Sequence, residues 1–81
     1  MRIVVHLFAI AKQTAGCDRV ELDLPPGATV ADLRRQLGQA ATPLAPLMPQ
    51  MLFALDAEFA SDAAVIREQS RVACLPPVSG G

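Results

Sequence analysis

The sequence is poor in the residues that build metal sites and disulfide frameworks. Its 81 residues include two cysteines, Cys17 and Cys74, and one histidine, His6. Two cysteines are too few for a disulfide framework, and a structural zinc site needs about four ligands. We therefore expect no bound metal and two reduced thiols, of which Cys74 lies in the core.

The chain also lacks a basic surplus and a long apolar run. Seven basic and eight acidic residues give a net charge of −1, whereas a nucleic-acid-binding surface needs an excess of Lys and Arg. Polar residues, Pro and Gly interrupt every apolar stretch before it reaches the length of a bilayer. The apolar start is too short for a signal peptide, since Lys12 and Gln13 follow. We expect a cytoplasmic protein that binds neither nucleic acid nor a membrane.

Residues typical of an active site are missing as well. There is no Ser–His–acid combination to propose and no glycine-rich phosphate loop. His6 is a conceivable base, but its apolar strand favours a structural role. Asp56 and Glu58 are a conceivable acid–base pair, but a hairpin turn explains both more simply. We do not expect the side chains of this domain to carry out catalysis.

The hydrophobic pattern predicts one small domain with about five strands. At 52% hydrophobic residues the chain can form a single thin core. Residues 2–8 are β-branched and apolar, which predicts a strand buried on both faces. Residues 18–24 alternate polar and apolar side chains, which predicts a half-buried strand. The remaining strands are expected at 51–55, 59–60 and 71–75.

One main helix is predicted from Thr29 to about Gln39. Thr29 is placed to cap it, together with Asp32 three residues later. Val30, Leu33 and Leu37 share the inner face, and Arg34, Arg35 and Gln36 are assigned to the opposite, solvated face. A short helix or turn is expected at 9–15 with Gly16 as its cap. The three prolines of 42–50 predict an irregular connection.

The order of these elements predicts an α+β fold. The first and last strands are the most continuously apolar, which favours central positions in a mixed sheet. If they are adjacent and parallel, with the helix packed on one face, the arrangement is a ubiquitin-like β-grasp. The domain then covers residues 1–75, and residues 76–81 form an extended, flexible tail.

The tail is the segment that is best suited to chemistry. It reads Pro76-Pro77-Val78-Ser79-Gly80-Gly81. The two prolines end the last strand and favour an extended course away from the sheet. Gly80 and Gly81 have no side chains, so they can thread a narrow channel of another protein. A carboxylate is a poor electrophile, so a separate enzyme would have to activate it. The alternative is a frayed end without function.

Several segments together resemble one family over essentially the whole chain. They are Leu7-Phe8-Ala9, the turn at Gly16, the helix with Val30, Leu33 and Arg34, and above all residues 72–81. These segments resemble the MoaD-type sulfur carriers, the small subunits of molybdopterin synthase and relatives of ubiquitin. The ending Pro-Pro-Val-Ser-Gly-Gly is the discriminating part, because a bare Gly-Gly indicates only the wider group of ubiquitin-like carriers.

The resemblance implies a mechanism in which other proteins act on the tail. A MoeB-type, E1-like enzyme would use ATP to adenylate Gly81, and a sulfur donor would convert it to a thiocarboxylate. The tail would then insert into a MoaE-type large subunit, within a heterotetramer, and give its sulfur to cyclic pyranopterin monophosphate. No cofactor is expected on this chain itself.

Site residues are implied by the same resemblance. Gly81 is the modified residue, and Gly80 must stay free of a side chain. The partner-facing stretch covers Leu75, Pro76, Pro77, Val78 and Ser79, with Leu7 and Phe8 as neighbours in an apolar docking patch. Leu7 or Phe8 can equally belong to the core.

The chain departs from the family pattern at three places, and other functions stay open. Lys12 replaces a common Arg, Ala54-Leu55-Asp56 replaces a usual Val-Asn pair, and Gln69-Ser70-Arg71 replaces a common Gly-Asp-Glu. These departures affect partner preference and loop shape more than the role of the tail. The alternatives are a carrier of the thiamine type, a ubiquitin-like protein modifier, and an interaction module with an inert tail.

Overall fold

The computed structural model describes residues 1–77 of the 81-residue chain. These residues form five strands, two α-helices and one 3₁₀ helix. They are β1 (Arg2–Leu7), α1 (Ile10–Ala15), β2 (Arg19–Asp23), α2 (Val30–Ala40), the 3₁₀ helix (Thr42–Gln50), β3 (Leu52–Leu55), β4 (Glu58–Ala60) and β5 (Val72–Leu75). The predicted five strands and one main helix are confirmed, with bounds that differ by one or two residues.

The strands form one mixed sheet in the order β2-β1-β5-β3-β4. β1 and β5 are parallel, and the other neighbouring strands are antiparallel. The first and last strands are therefore adjacent and parallel, as the pattern predicted. Both strands end at the same edge of the sheet, where the Phe8 N–H donates a 3.1 Å hydrogen bond to the Cys74 carbonyl.

Within residues 1–77, the sheet is covered on one face only. Ile3, Val5 and Leu7 of β1 point into the core with the inner side chains of α2, whereas Arg2 and His6 are exposed. The prediction that β1 is buried on both faces was wrong, and His6 lies on the open face. A single long helix in a chain of this size can cover only one side of five strands.

The start of α2 confirms the predicted cap. The Thr29 hydroxyl accepts a hydrogen bond from the Asp32 N–H at 3.3 Å, and the Asp32 carboxylate accepts one from the Thr29 N–H at 2.9 Å. The bond from the Thr29 N–H lowers the pKa of Asp32. The cap is thus complete when Asp32 is ionised, and it weakens as the pH falls through that lowered pKa.

Arg34 joins α2 to the segment that follows it. Its guanidinium donates to the carbonyl oxygens of Met48 and Met51, the latter at 2.7 Å, and to the Asp62 carboxylate at 2.7 Å. The guanidinium carbon also lies 4.9 Å from the centroid of the Phe53 ring. Only 21% of the side chain is exposed. The prediction that Arg34 lies on a solvated face was wrong, because the chain after α2 folds back over this position.

That returning segment is a 3₁₀ helix throughout, not the irregular connection that its prolines suggested. Pro46 and Pro49 lie inside it. Leu44 and Met48 are buried in the core, so the segment closes the edge of the core beside α2. Arg34 binds two main-chain carbonyl oxygens at the end of this segment, those of Met48 and Met51.

The connection between β3 and β4 is a tight hairpin turn, as predicted from the sequence, but it has two residues because Glu58, which was predicted in the turn, already pairs with Leu55 in the sheet. Asp56 and Ala57 have φ values of 52° and 70°. Positive φ at both central residues is the mark of a type I′ turn, which glycine favours. The Asp56 carboxylate accepts a hydrogen bond from the Arg71 N–H at 2.9 Å, which ties the turn to the start of β5.

Replacing Ala57 by glycine is expected to stabilise the protein by about 1 kcal/mol, because an L-residue in the left-handed region carries a steric cost. The free energy of unfolding in urea measures this change. The matched variant Ala31→Gly, inside α2, is expected to destabilise the protein by up to about 1 kcal/mol. A destabilising Ala57→Gly variant would contradict the strained turn.

Replacing Arg34 by lysine is expected to lower the free energy of unfolding by about 2 kcal/mol, since the single nitrogen of an ammonium cannot reach the three acceptors that two nitrogens of the planar guanidinium contact. Arg35→Lys is the matched control, because Arg35 is exposed and, within residues 1–77, forms an ion pair with Asp32 alone. Its effect is expected to stay below about 0.5 kcal/mol. Equal urea midpoints for the two variants would refute the role given to Arg34.

Candidate functional site

The uncovered face of the sheet carries an apolar surface around two small residues. The strand register places one row of side chains across all five strands: Arg19, His6, Ala73, Ala54 and Phe59. The two alanines lie on β5 and β3, so they form a low floor in the middle of the sheet. Phe59 is 66% exposed and stands at one side of this floor.

A second row lies nearer to the edge where β1 and β5 end. Leu52 pairs with Leu75, and the hydrogen bond from Phe8 to Cys74 holds Phe8 beside this pair. Both leucines are half-buried, and Phe8 is 48% exposed. We call the six apolar residues of the two rows the apolar sheet face: Phe8, Leu52, Ala54, Phe59, Ala73 and Leu75. A depression of about 450 Å³ opens on this side between Phe8, Ala73 and Arg71.

Charged side chains limit the apolar sheet face on the β2 side. Arg2 lies 3.4 Å from the Glu21 carboxylate and 3.6 Å from the Asp23 carboxylate. All three side chains are more than half exposed. A partner that buries the apolar sheet face therefore meets charge at β1 and β2 and apolar side chains at β5, β3 and β4.

A strained residue shapes the corner at which β1 ends. Ala9 has φ 54° and ψ −126°, a conformation that glycine adopts far more readily than alanine. The turn closes with a 3.2 Å hydrogen bond from the Ala11 N–H to the Phe8 carbonyl. Phe8 and Ile10, on either side of Ala9, are 48% and 43% exposed. The strained residue thus lies between two exposed apolar side chains, beside the end of β5.

The predicted partner-facing residues are only partly confirmed as exposed. Phe8 is exposed and lies beside Leu75, but Leu7 is 2% exposed and belongs to the core. Including Leu7 in the docking patch was wrong, because adjacent residues of a strand point to opposite faces. Leu75 and Pro76 are half-buried, and Pro77 is exposed. The predicted sites at Val78, Ser79, Gly80 and Gly81 lie outside the described residues.

Four residues of this face were not predicted from the sequence: Leu52, Ala54, Phe59 and Ala73. Phe59 is the most exposed of them. The feature of the sequence that could have identified it is the hairpin between β3 and β4. A two-residue turn at Asp56 and Ala57 pairs Leu55 with Glu58, and the next pair is Ala54 with Phe59. Since Phe53 is buried, its neighbour Ala54 and the partner Phe59 must face the other way. Deriving the register from the turn would have identified Phe59.

The thiol next to the origin of the tail, that of Cys74, is shielded from reaction. Cys74 is buried at the end of β5, and burial raises the pKa of its thiol to about 11, against the opposing charge of Arg34. At neutral pH it is a shielded thiol and no sulfur nucleophile. Within residues 1–77, no three or more His, Cys, Asp and Glu side chains are grouped to hold a metal. No helix in the same range is long and apolar enough to cross a membrane.

Comparison with known proteins agrees with this fold and extends along the whole chain. The model of the ThiS family matches residues 5–81. A protein of Chlamydomonas reinhardtii is 34% identical over 83 residues, with all of both chains covered. One of Arabidopsis thaliana is 30% identical over 81 residues, covering all of this chain and 84% of the relative. Both are named molybdopterin synthase sulfur carrier subunit.

A solved structure shows the same architecture. The crystal structure of SAMP1 from Haloferax volcanii has a TM-score of 0.87 and 26% sequence identity, and the match covers 100% of both chains. This match confirms the ubiquitin-like β-grasp that was predicted from the sequence. The two relatives confirm the resemblance to molybdopterin synthase small subunits. The family model spans nearly the whole chain and the relatives are similar from end to end, so the chain belongs to the ThiS family.

Proposed function

We propose that this chain is the sulfur carrier subunit of a molybdopterin synthase. The observation that carries the proposal is the full-length similarity, at 34% identity, to a sulfur carrier subunit whose whole length this chain also covers. The fold supports it as well. The described residues present an apolar surface for a partner beside the point where the tail leaves, and the thiol next to that point, Cys74, is buried.

The chemistry that we propose takes place at Gly81. An E1-like activating enzyme joins a Gly81 carboxylate oxygen to the α-phosphate of ATP, and pyrophosphate leaves, so that the acyl carbon carries AMP as a good leaving group. A donor that supplies sulfur at the oxidation level of sulfide then forms a C–S bond with this carbon, AMP leaves with the electron pair, and the product is a thiocarboxylate. The thiocarboxylate sulfur then bonds to cyclic pyranopterin monophosphate in the large subunit, and water cleaves its bond to the acyl carbon, which restores the Gly81 carboxylate. ATP belongs to the activating enzyme, and this chain supplies the tail and the docking surface.

The geometry of the sheet explains how both tasks fit on 81 residues. β5 ends at Leu75, beside Phe8, so the tail begins at the border of the apolar sheet face. The six residues after Leu75 can span up to about 20 Å. A partner can therefore cover the apolar sheet face and still receive the end of the tail in an active site some distance away.

We propose a MoaE-type large subunit as the partner on the apolar sheet face, in a heterotetramer, and a MoeB-type activating enzyme as a second partner. Exposed phenylalanines around a floor of alanines are suited to an interface, because large aromatic side chains often contribute most to binding. Phe8, Phe59 and Leu75 are the anchors in this proposal. The charged pairs of Arg2 form the rim on the β2 side.

A second candidate function is a protein modifier. It is favoured by the likeness to SAMP1, which is named a small archaeal modifier protein. The same activated Gly81 would then be joined to a lysine amine of a target protein instead of receiving sulfur. Isopeptide-linked adducts of this chain in cell extracts would identify that role, whereas a sulfur carrier forms a thiocarboxylate.

Deletion of Gly81 is expected to abolish the gain of sulfur and to leave the fold intact, since Gly81 lies six residues beyond β5. The measurement is intact mass spectrometry after incubation with the activating enzyme, ATP and a sulfur donor. The full chain should exchange one oxygen for sulfur, localised to Gly81. Deletion of Ser79 is the matched control, since it shortens the tail equally and keeps the Gly-Gly end. An unchanged mass of the full chain would refute the carrier proposal.

Replacing Phe59 by aspartate is expected to weaken binding to the large subunit by at least about 30-fold, because a buried charge would replace an anchor of the interface. Isothermal titration calorimetry measures this loss. Val65→Asp is the matched control, since Val65 is 55% exposed and pairs with Thr29 on the helix side of the molecule. Equal affinity of the Phe59→Asp variant and the wild type would place the interface elsewhere.

A further inference from the structure

A depression on the open face of the sheet combines apolar walls with two basic side chains. It has a volume of about 450 Å³ and lies between Phe8, Ala57 and Ala73. His6 and Arg71 also line it, and both are exposed. None of the acidic side chains of residues 1–77 lines it. We call this place the basic depression, because its two polar side chains are basic.

Arg71 reaches the basic depression because it directly precedes β5. The next residue, Val72, is buried in the core, so Arg71 and Ala73 belong to the open face. The Asp56 N–H donates a 2.9 Å hydrogen bond to the Arg71 carbonyl, and the Arg71 N–H donates one of 2.9 Å to the Asp56 carboxylate. The hairpin turn therefore fixes the main chain of Arg71, and the guanidinium takes part in neither bond.

The charge of Arg71 is not balanced by a neighbouring side chain. Other arginines of this face are paired, since Arg2 lies 3.4 Å from the Glu21 carboxylate and Arg19 lies 3.9 Å from the Asp18 carboxylate. Within residues 1–77, no carboxylate oxygen lies within 4.0 Å of the Arg71 guanidinium. The basic depression thus carries a positive charge that is open to an acceptor from another molecule.

Covering this face without an acceptor for Arg71 would be unfavourable. Phe8 and Ala73 belong to the apolar sheet face and also line the basic depression, so a partner that covers the first covers the second. A guanidinium that loses its water without gaining a hydrogen-bond partner strongly destabilises a complex. A partner that binds here must therefore bring an acceptor to the basic depression.

A carboxylate is the acceptor that suits this lining best. Its two oxygens match the planar guanidinium through two parallel hydrogen bonds, and its charge balances that of the arginine. His6 pairs with Ala73 in the register, so its Cα atom lies about 8 Å from that of Arg71. The imidazole can donate a further hydrogen bond to a carboxylate between the two side chains. A main-chain carbonyl oxygen would leave the charge uncompensated.

We propose that the basic depression receives the carboxylate of a glutamate or aspartate of the large subunit, with Arg71 as its main donor and His6 as the second. The proposal rests on the proposed function, which supplies this partner, and it adds the chemical group that the partner must carry. The partner's carboxylate enters the depression when the large subunit covers the apolar sheet face.

The resulting ion pair fixes the orientation in which the two subunits dock. Apolar contacts over a floor of alanines tolerate small shifts, whereas a paired guanidinium and carboxylate have a defined geometry. Leu75, the last residue of β5, lies four residues after Arg71, or about 13 Å along the strand. The pair therefore sets where β5 ends against the large subunit, and Arg71 determines which partner surface fits.

The first test measures binding of Arg71 variants to the purified large subunit by isothermal titration calorimetry. Arg71→Gln is expected to weaken binding at least about tenfold, and Arg71→Glu at least about 100-fold, because the second variant brings like charges together. Arg67→Glu is the matched control, since Arg67 is exposed and lines a different depression, beside Met1. It makes the same change in net charge, and its affinity should stay within about threefold of the wild type.

Charge reversal in the partner identifies the carboxylate. Each Asp and Glu of the large subunit is replaced by arginine in turn, and the variants are titrated with Arg71→Glu. One replacement should raise the affinity for Arg71→Glu at least about tenfold and weaken binding of the wild-type chain. Wild-type affinity of Arg71→Glu would show that the basic depression is not occupied. Equal losses for Arg71→Gln and Arg71→Glu, without rescue by any replacement, would overturn the carboxylate.

A second measurement separates this inference from the proposed function. The wild-type chain is assayed both for binding to the large subunit and for the gain of sulfur with the activating enzyme. Binding and sulfur gain, together with unchanged affinity of Arg71→Glu, would support the carrier function and overturn the basic depression. A rescued loss in Arg71→Glu, in a chain that gains no sulfur, would support the basic depression and overturn the carrier chemistry. A loss of affinity for the activating enzyme alone would overturn the large subunit as the occupant.

Discussion

The structure depends on the parallel pairing of β1 with β5. Parallel neighbours cannot be joined by a tight turn, so the chain between them must cross over the sheet. In this protein the crossing contains α2 and the 3₁₀ helix, which together cover one face. The same pairing brings the ends of both strands to one edge. The covered face, the open face and the origin of the tail therefore follow from a single pair of strands.

Arg34 completes the covered side and in this way defines the open side. Its contacts with Met48, Met51 and Asp62 hold three segments together over the Phe53 ring. With these segments fixed behind the sheet, no element of residues 1–77 covers the front. The alanines of β3 and β5 keep that front low, and Phe8 and Phe59 stand above it.

The sequence was most informative where one local rule decides the structure. The cap at Thr29, the alternation of 18–24 and the turn at Asp56 need no distant contacts, and all three were predicted. Arg34 was misassigned because helical periodicity does not show which segment will return over a helix. Leu7 is the last residue of β1 and Phe8 follows it, and only the register shows which of them faces the core. Phe59 was missed for the same reason.

The charged pairs of β2 also bear on how the protein behaves before it meets a partner. A small sheet with an open apolar face and two free edges is prone to join further strands from other copies and to aggregate. At one edge, Arg2, Glu21 and Asp23 surround β2 with charge of both signs. At the other, β4 has only three residues. Both edges thus discourage the pairing of strands between copies of the chain. The exposed phenylalanines therefore stay available for contact with a partner.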